Sequence, residues 1–457
     1  MGRKIKFVLS DLHIGAGTGW ATKNLSESFL VDDELVEFLH YIRQESETKN
    51  QEVELIINGD FFDFLHVPAV DALTGTTDYS LEAYYNSSEA ASIKRLNLIY
   101  KAHKAVFAAL TNFMQPVAPK RRITIIKGNH DVHFFWPRVK NHLRSLLRAS
   151  GTRASLLLFA EEFVSREKIY VEHGHQRAEP SNRYPDFLHP IHPDNPTQLN
   201  YPVGARFEID CSYDQADKYP FIHKVKPFNA VIWYALHWDL MLASKLLVHC
   251  AGDHQPVLSL NGSSGARPGD HALAAMSDYL VDENRCYQAL RQCRQDAGFK
   301  REFYTFLSCQ FDLAPSPEYG VLAVDDPLDI AQQKHEAQRL SLRQAAEQIA
   351  EREGAEVILF GHSHYAIQET LENGAVYINT GCWAEDFSTA SPELWETLFN
   401  QTYSYGQPPV SLPYARIDYD DDNTPHPQLL DFCKIRQSTT TLSKKVFGWL
   451  TQVIGTQ

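Results

Sequence analysis

Seven side chains of the kinds that hold divalent cations stand in short polar clusters along this chain. They are Asp11 and His13 in DLH, Asp60 in GDFFD, Asn129 in GNHD, His173 in HGH, and His362 with His364 in GHSH. Two aspartates, one asparagine and four histidines make a mixed imidazole and carboxylate set. Such a set suits borderline divalent ions such as Mn, Fe or Zn. In Asp-X-His and His-X-His, the side chains at i and i+2 converge on one ion if the backbone is extended or turning. Seven ligands with one shared carboxylate suit two ions, each keeping open positions for water or substrate. A single DxH or HxH carries little weight, because surface histidines are common. Five such signals in order, each after a strand-like run, point to one binuclear site.

These residues need elements that bring them together. KIKFVLSD reads as a buried strand ending at Asp11, and VELIINGD as one ending at Asp60. The β-formers Ile123 to Ile126 run into GNHD. A turn there needs only the glycine and the asparagine, so the added imidazole and carboxylate suggest chemistry at a strand's C-terminal edge. KIYVEHGH ends at His173, AEVILFGHSH ends at His362 and His364, and AVYINTGCW is a sixth strand. The spacing predicts a helix over SESFLVDDELVEFLHYIRQ, with Ser26 or Ser28 as N-cap. A long loop over 66–88 and a helix from about Ala90 to Met114 follow. Strands alternating with helices in this way imply a layered α/β arrangement.

From 195 to 352 the rhythm breaks. A Pro- and Asn-rich loop leads into long helical stretches, which we read as an inserted helical cap. The alternative is that these helices complete the core. The apolar stretch 228–250 is interrupted by His237, Asp239, Lys245 and His249, so it reads as buried or lid-forming and not as a membrane span. Residues 436–457 contain SKKVFGWLTQVIG, with Val446, Phe447, Leu450, Val453 and Ile454 on one helical face. That pattern fits an interfacial helix with peripheral membrane contact, or a terminal helix docked on its own domain. The chain therefore divides into a first core part, 1–194, the insertion, 195–352, a second core part, 353–435, and the C-terminal helix.

With 457 residues, 44% of them apolar, the chain can bury a sizeable core. A net charge of −14 argues against nucleic acid as a partner. Seven cysteines without a CxxC pair fit a reduced chain, and we expect a cytoplasmic protein. The start, MGRKIKFVLSDLH, has too short an apolar run for a signal peptide.

The series DLH, GDFFD, GNHD, HGH and GHSH resembles the calcineurin-like metallophosphoesterases over about residues 5–180 and 353–385. The resemblance implies a four-layer αββα sandwich with the metal site on one edge. It implies that one metal is held by Asp11, His13, Asp60 and His364. The other would be held by Asp60, Asn129, His173 and His362, with Asp60 bridging. It further implies that His130 assists the leaving group and that Asp63 orients it, a sound acid–base device. The alternatives are a core-facing turn histidine and a helix cap. Two divalent ions of this kind generate a hydroxide that attacks phosphorus and clamp the phosphoryl oxygens.

Among lesser candidates, His175, Gln176, Arg177 and Arg183 follow His173 and are placed to contact a substrate phosphate. Solvated loop arginines are the alternative for the last two. Cys382 reads as a packed neighbour, and DYDDDN at 418–423 as a solvated turn. The expected activity is hydrolysis of a phosphomonoester, phosphodiester or pyrophosphate bond in a small or lipid-like molecule. GDFFDF is similar to a segment of bacterial lipid A-pathway enzymes, which carry GNRD where this chain has GNHD. The alternatives weighed are a nuclease-type phosphodiesterase and a non-catalytic scaffold.

Overall fold

The computed structural model describes residues 4–18, 27–75, 79–215, 218–253, 276–310 and 326–437. It is a mixed α/β structure with several sheets and many helices. The strands in chain order are β1 Lys4–Leu9, β2 Glu52–Asn58, β3 Arg121–Ile126, β4 Leu157–Ala160, β5 Phe163–Arg166, β6 Ile169–Glu172, β7 Ile191–His192, β8 Asn195–Leu199, β9 Val357–Phe360, β10 Ile367–Thr370, β11 Val376–Asn379, β12 Pro413–Tyr419 and β13 Pro425–Asp431.

One six-stranded sheet has the order β13-β12-β1-β2-β3-β4, and a five-stranded sheet has the order β10-β11-β9-β6-β5. Strands β1 to β4 run parallel, as do β11, β9 and β6. All six strands expected from the sequence are present, and parallel pairing brings their C-terminal ends to shared edges. The alternation of side chains sorts the strands' faces. Ile5, Phe7 and Leu9 of β1, Leu55 and Ile57 of β2, and Ile123 and Ile125 of β3 pack in one cluster. Helices α1 (Asp32–Lys49), α3 (Glu89–Ala102), α4 (Lys104–Phe113) and α5 (Pro137–Leu146) supply the other side of it. Val8, Ile56 and Ile126 on the opposite face share a second cluster with Val164, Val171 and Leu359 of the five-stranded sheet.

Two helix boundaries differ from the sequence reading. α1 begins at Asp32, with Val31 at the N-cap and no side-chain cap. Ser28 lies before it, its carbonyl accepting from the Glu385 amide at 2.7 Å, and Ser26 lies outside the described residues. Acidic Asp32, Asp33 and Glu34 fill the first turn, where the helix dipole favours negative charge. The helix expected over 90–114 breaks at His103, whose Nδ1 is 2.8 Å from an Asp32 carboxylate oxygen. The 66–88 loop holds a short helix, α2 (Leu81–Tyr85). It is clamped by the buried Arg95, which donates to the carbonyls of Val67, Ala83, Tyr84 and Asn86.

Residues 203–353 are mostly helical where described: α6 (Val203–Gln215), α7 (Ala230–Trp238), α8 (Leu240–Asp253), then Glu283–Cys293, Ala297–Gln310 and Pro327–Glu353. The apolar stretch 228–250 is two helices, not one. Asp239 leaves the helical region, and its carboxylate accepts from the Met241 and Leu242 amides at 2.9 and 3.1 Å. These helices form their own apolar cluster, which takes in Trp395, Leu398 and Phe399 from beyond residue 353. The helix Pro327–Glu353 joins both regions. Ile330 and Ala331 pack in the helical cluster, while Leu342, Ala346 and Ile349 pack against Ile358 and Phe360 of the five-stranded sheet. No described helix is long and apolar enough to cross a membrane. The amphipathic stretch ending the chain lies outside the described residues, which stop at 437.

Candidate metal centre

The candidate ligands follow directly on strand ends: Asp11 and His13 after β1, Asp60 after β2, Asn129 after β3, His173 after β6, and His362 with His364 after β9. Backbone contacts stitch the ends together. The His13 amide donates to the Asp60 carbonyl at 2.9 Å, and the Gly361 amide to the His173 carbonyl at 2.9 Å. Asp131, the last residue of GNHD, braces this junction. Its carboxylate accepts from the Gly128 amide at 2.6 Å and from the Phe61 amide at 2.9 Å.

Five of these residues hold left-handed backbone: Asp11 (φ 53°), His13 (50°), Asp60 (48°), His362 (65°) and His364 (58°). Each costs roughly 1–2 kcal/mol relative to the right-handed region. Strain of this kind, repeated at adjoining strand ends, turns short polar side chains inward and is a mark of function. Glycine makes the approach possible at two points. A Cβ on Gly128 would stand 2.2 Å from Asp60 Oδ1, and one on Gly361 would stand 2.5 Å from Asp11 Oδ2.

The result is two adjoining groups whose ligand atoms lie within 4.8 Å of one another: Asp11, His13 and His364, and Asp60, His173 and His362. His173 Nε2 is 3.2 Å from Asp60 Oδ2 and 3.1 Å from Asn129 Oδ1, which brings the asparagine into the second group. His13 Nε2 lies 3.8 Å from Asp60 Oδ2, so Asp60 touches both groups. His13 and His364 face each other, Nε2 to Nε2, at 3.1 Å.

Three imidazoles are each held by the nitrogen that points away from the cluster. His173 Nδ1 is 2.9 Å from the Asn58 carbonyl, His364 Nδ1 is 2.8 Å from Asp386, and His362 Nε2 is 3.2 Å from Glu179. Outer partners of this kind orient metal-binding histidines and fix their tautomers. Their other nitrogens face the cluster. His362 Nδ1 and Asp60 Oδ2 are buried and make no hydrogen bond among the described residues. A donor set of imidazole nitrogens, carboxylates and one amide oxygen fits borderline divalent cations. The electrostatics agree. Burial alone would raise the Asp11 carboxyl, but His173 and His364 hold it down at about 2. Burial would lower His173, but Asp60 and Asp11 bring it up to about 9.

His130 stands at the edge of the cluster, its ring 4.5 Å from that of His13. Its Nδ1 is 3.0 Å from Asp63 Oδ1, the pairing expected from the sequence. Asp63 also meets His66 Nδ1 at 2.7 Å.

The remaining sequence candidates make contacts of their own, and the His175 ring lies 5.4 Å from that of His173 and 6.2 Å from that of His362. His175 is buried against Phe187, with neither ring nitrogen hydrogen-bonded among the described residues. Gln176 exchanges two hydrogen bonds with the Tyr184 backbone, and the Tyr184 hydroxyl donates to the Asn129 carbonyl at 3.2 Å. Arg177 pairs with Glu172 at 3.1 Å and Arg183 donates to the Ala178 carbonyl at 2.7 Å. Both arginines brace their own loop, and no described contact joins either to the cluster. Cys382 lies beside His364 and Asp386, as expected of a packed neighbour. Asp420 closes the DYDDDN turn by accepting from the Asp422 and Thr424 amides.

Sequence reading missed Glu179 and Asp386, which carry no motif or periodicity. It also missed Glu208 and Lys226, both from the helical segment. Lys226 Nζ is 3.3 Å from His130 Nε2 and 3.1 and 3.2 Å from the two oxygens of Glu208.

No protein-family model matches this chain, and no curated protein does. One solved structure found by comparison is the crystal structure of a dimetal phosphatase from Danio rerio. The match covers 94% of this chain and 100% of that one, at 10% identity and a TM-score of 0.28. At that score the likeness carries no argument about fold or function.

Proposed function

We propose that this chain is a binuclear metal-dependent phosphoesterase with the four-layer αββα core of the calcineurin-like metallophosphoesterases. In this reading residues 1–194 and 353–435 build the core and 195–352 are an insertion. The observation that carries it is the convergence of seven strand-end donors in two groups that meet at Asp60. Asp11, His13, Asp60 and His364 would hold one ion, and Asp60, Asn129, His173 and His362 the other.

Two bound ions would supply an acidified water and positive charge for the phosphoryl oxygens. The chain's own groups do the rest. Asn129 contributes a neutral oxygen, which adds no negative charge where a phosphate must enter. Asp63 fixes the His130 ring through Nδ1, leaving Nε2 toward the reacting oxygens. His130 then gives its Nε2 proton to the leaving oxygen, and Asp63 stabilises the cationic ring that carries it. Burial of His130 and Asp63 keeps bulk water from competing for that proton.

The test is turnover of p-nitrophenyl phosphate and bis(p-nitrophenyl) phosphate by protein loaded with Mn, Fe or Zn. Activity on one of the two, abolished in both Asp60→Asn and His130→Ala, is the expected result. Protein with two ions bound that cleaves neither ester would overturn the proposal.

A further inference from the structure

The helical segment reaches the candidate metal centre through the strap of residues 222–226 and through Glu208 of α6, whose Oε1 is 3.5 Å from His130 Nε2. The strap is fixed to the stretch 385–388. Lys224 Nζ pairs with Glu385 at 2.7 Å, the Phe387 amide donates to the Lys224 carbonyl at 2.8 Å, and the Lys226 amide donates to Ser388 Oγ at 2.7 Å. Asp386, in the middle of that stretch, is the residue that holds His364. The strap therefore sits at a set position against the candidate ligands.

Its last residue points a cation at the dyad. Lys226 and Glu208 are each about 97% buried, with side chains only 3% exposed. An ammonium has three N–H donors. Two go to the oxygens of Glu208, at 3.1 and 3.2 Å. The third is within 3.3 Å of His130 Nε2, the nitrogen that faces the reacting oxygen. A buried ion pair with a hydrophobic replacement of equal volume is often no more stable than that replacement, so stability alone does not account for Lys226 and Glu208 here. The surroundings do. Asp11, Asp60, Asp63 and Glu208 crowd the centre with carboxylates, and an incoming phosphate adds further negative charge. A cation aimed at the phosphoryl position offsets it.

We infer that Lys226 forms an oxyanion subsite, donating to a non-bridging oxygen of a bound phosphoryl group beside His130, and that Glu208 is its positioning residue. The inference rests on the phosphoesterase reading above and deepens it. The ligand class is a tetrahedral phosphate, free or esterified. When substrate enters, the third N–H moves from His130 Nε2 to the phosphoryl oxygen. Freed of that bond, His130 Nε2 takes up a proton from solvent, Asp63 stabilising the cationic ring, and then gives it to the leaving oxygen. No bond is made or broken by Lys226.

The experiment uses the full metal-loaded chain with inorganic phosphate as probe. Phosphate inhibition, KM and kcat are measured for the wild type, Lys226→Met, Lys226→Arg, Glu208→Gln, and the double variant Lys226→Met with Glu208→Gln. Bound metal is assayed in each. The double variant leaves no orphan carboxylate and is read in place of Lys226→Met if the single variant fails to fold. Loss of a charge-assisted hydrogen bond weakens phosphate binding and raises KM by at least about tenfold. Metal content stays at the wild-type level, and Lys226→Arg recovers part of the loss. Glu208→Gln alone raises KM more than it lowers kcat, a split that a purely structural role would not produce. Folded, fully loaded Lys226→Met or double variant with wild-type phosphate inhibition and KM overturns the subsite while leaving the phosphoesterase reading intact. Wild-type protein that carries both ions but neither binds phosphate nor cleaves esters overturns both.

Discussion

Strands β1, β2 and β3 carry two buried charge clusters, and the contrast between them separates a structural network from a working one. The first lies within the strands, on the face turned to the second sheet. Glu54 takes Lys6 at 2.6 Å, Arg122 at 2.9 Å and the Thr124 hydroxyl at 2.6 Å, and also pairs with Arg166. Lys6 reaches Glu167 as well, at 2.7 Å. The second lies a few residues on, past the strand ends, where carboxylates and imidazoles outnumber lysines and arginines. In the first cluster Lys6, Glu54, Arg122 and Thr124 keep ordinary strand backbone, only Glu167 in the turn after β5 being left-handed (φ 54°), and the central carboxylate of Glu54 is saturated with donors. In the second, five residues hold left-handed backbone, and Asp60 Oδ2 and His362 Nδ1 make no hydrogen bond among the described residues. A network saturated by its own partners contributes to stability. One that keeps strained donors aimed at a common point contributes to binding.

The sharpest way to break this contrast is to neutralise one carboxylate in each cluster. Asp60→Asn removes the negative charge and one of the two oxygens of the carboxylate that touches both ligand groups. Activity is expected to fall by at least about a thousandfold, since bound ions supply several kcal/mol of transition-state stabilisation. The rise in Tm expected of the wild type on metal loading should shrink with it, because only binding to the folded state raises Tm. Phosphoester turnover and Tm with and without metal check both. Glu54→Gln should do the reverse. It leaves the buried Lys6 with Glu167 as its ionised partner and takes charge from a buried hydrogen-bonded group, which costs about 1–3 kcal/mol of stability. The metal-dependent increment in Tm and the kcat of the folded enzyme stay at wild-type values. Urea unfolding beside a turnover assay reads both.

Acidity separates the clusters a second time. Burial would raise the Glu54 carboxyl, but Lys6, Arg122 and Thr124 hold it down at about 2. A depressed carboxylate contributes stability above its unfolded value and loses it as pH falls through the folded one. Glu54 therefore stabilises the fold fully near neutral pH, and its share disappears between the ordinary glutamate range and about pH 2. His173 in the candidate metal centre shifts in the other direction. Asp60 and Asp11 raise His173 to about 9 against the effect of burial, so the metal-free imidazole is protonated at neutral pH. Binding an ion must expel that proton. Metal affinity should accordingly climb with pH up to about 9, and loading at pH 7 should release protons that a weakly buffered titration detects. Affinity that stays flat between pH 6 and 9 would remove His173 from the ligand set.

The two clusters also differ in how far they could be read from sequence. The seven strand-end donors were legible because each sits in a short motif straight after an apolar run, and parallel strands carry such positions to a common edge. The pairing of Asp63 with His130 came with the same motifs. The groups that orient these residues were not legible. Glu179, Glu208 and Lys226 lie far along the chain from the histidines they touch, and Asp386 lies 22 residues from His364, all in loops and helices without a local pattern. The roles of Glu208 and Lys226 exist only once the helical segment is packed on the core. The same applies to strands β5, β10 and β13, whose half-exposed edge positions weaken the apolar signal. The boundary of α1 was misplaced because a serine N-cap was expected where acidic side chains start the helix instead.

The smallest expected effect tests where sequence proximity misleads. Arg183 follows His173 closely in the chain and was a reasonable phosphate contact on that ground. In the structure it is exposed, and its guanidinium donates to the Ala178 carbonyl. Lys226 is more than fifty residues from His173 in sequence, yet lies against His130. An exposed side chain with one backbone contact is worth about 0.5 kcal/mol or less, or roughly a twofold change. Arg183→Ala should therefore leave KM and phosphate inhibition within about twofold of wild type, against the tenfold or greater change at Lys226. Steady-state kinetics on the two variants in parallel makes the comparison. A large KM effect at Arg183 would mean that its loop turns into the site when substrate binds, and the cation serving phosphate would then come from the core rather than from the helical segment.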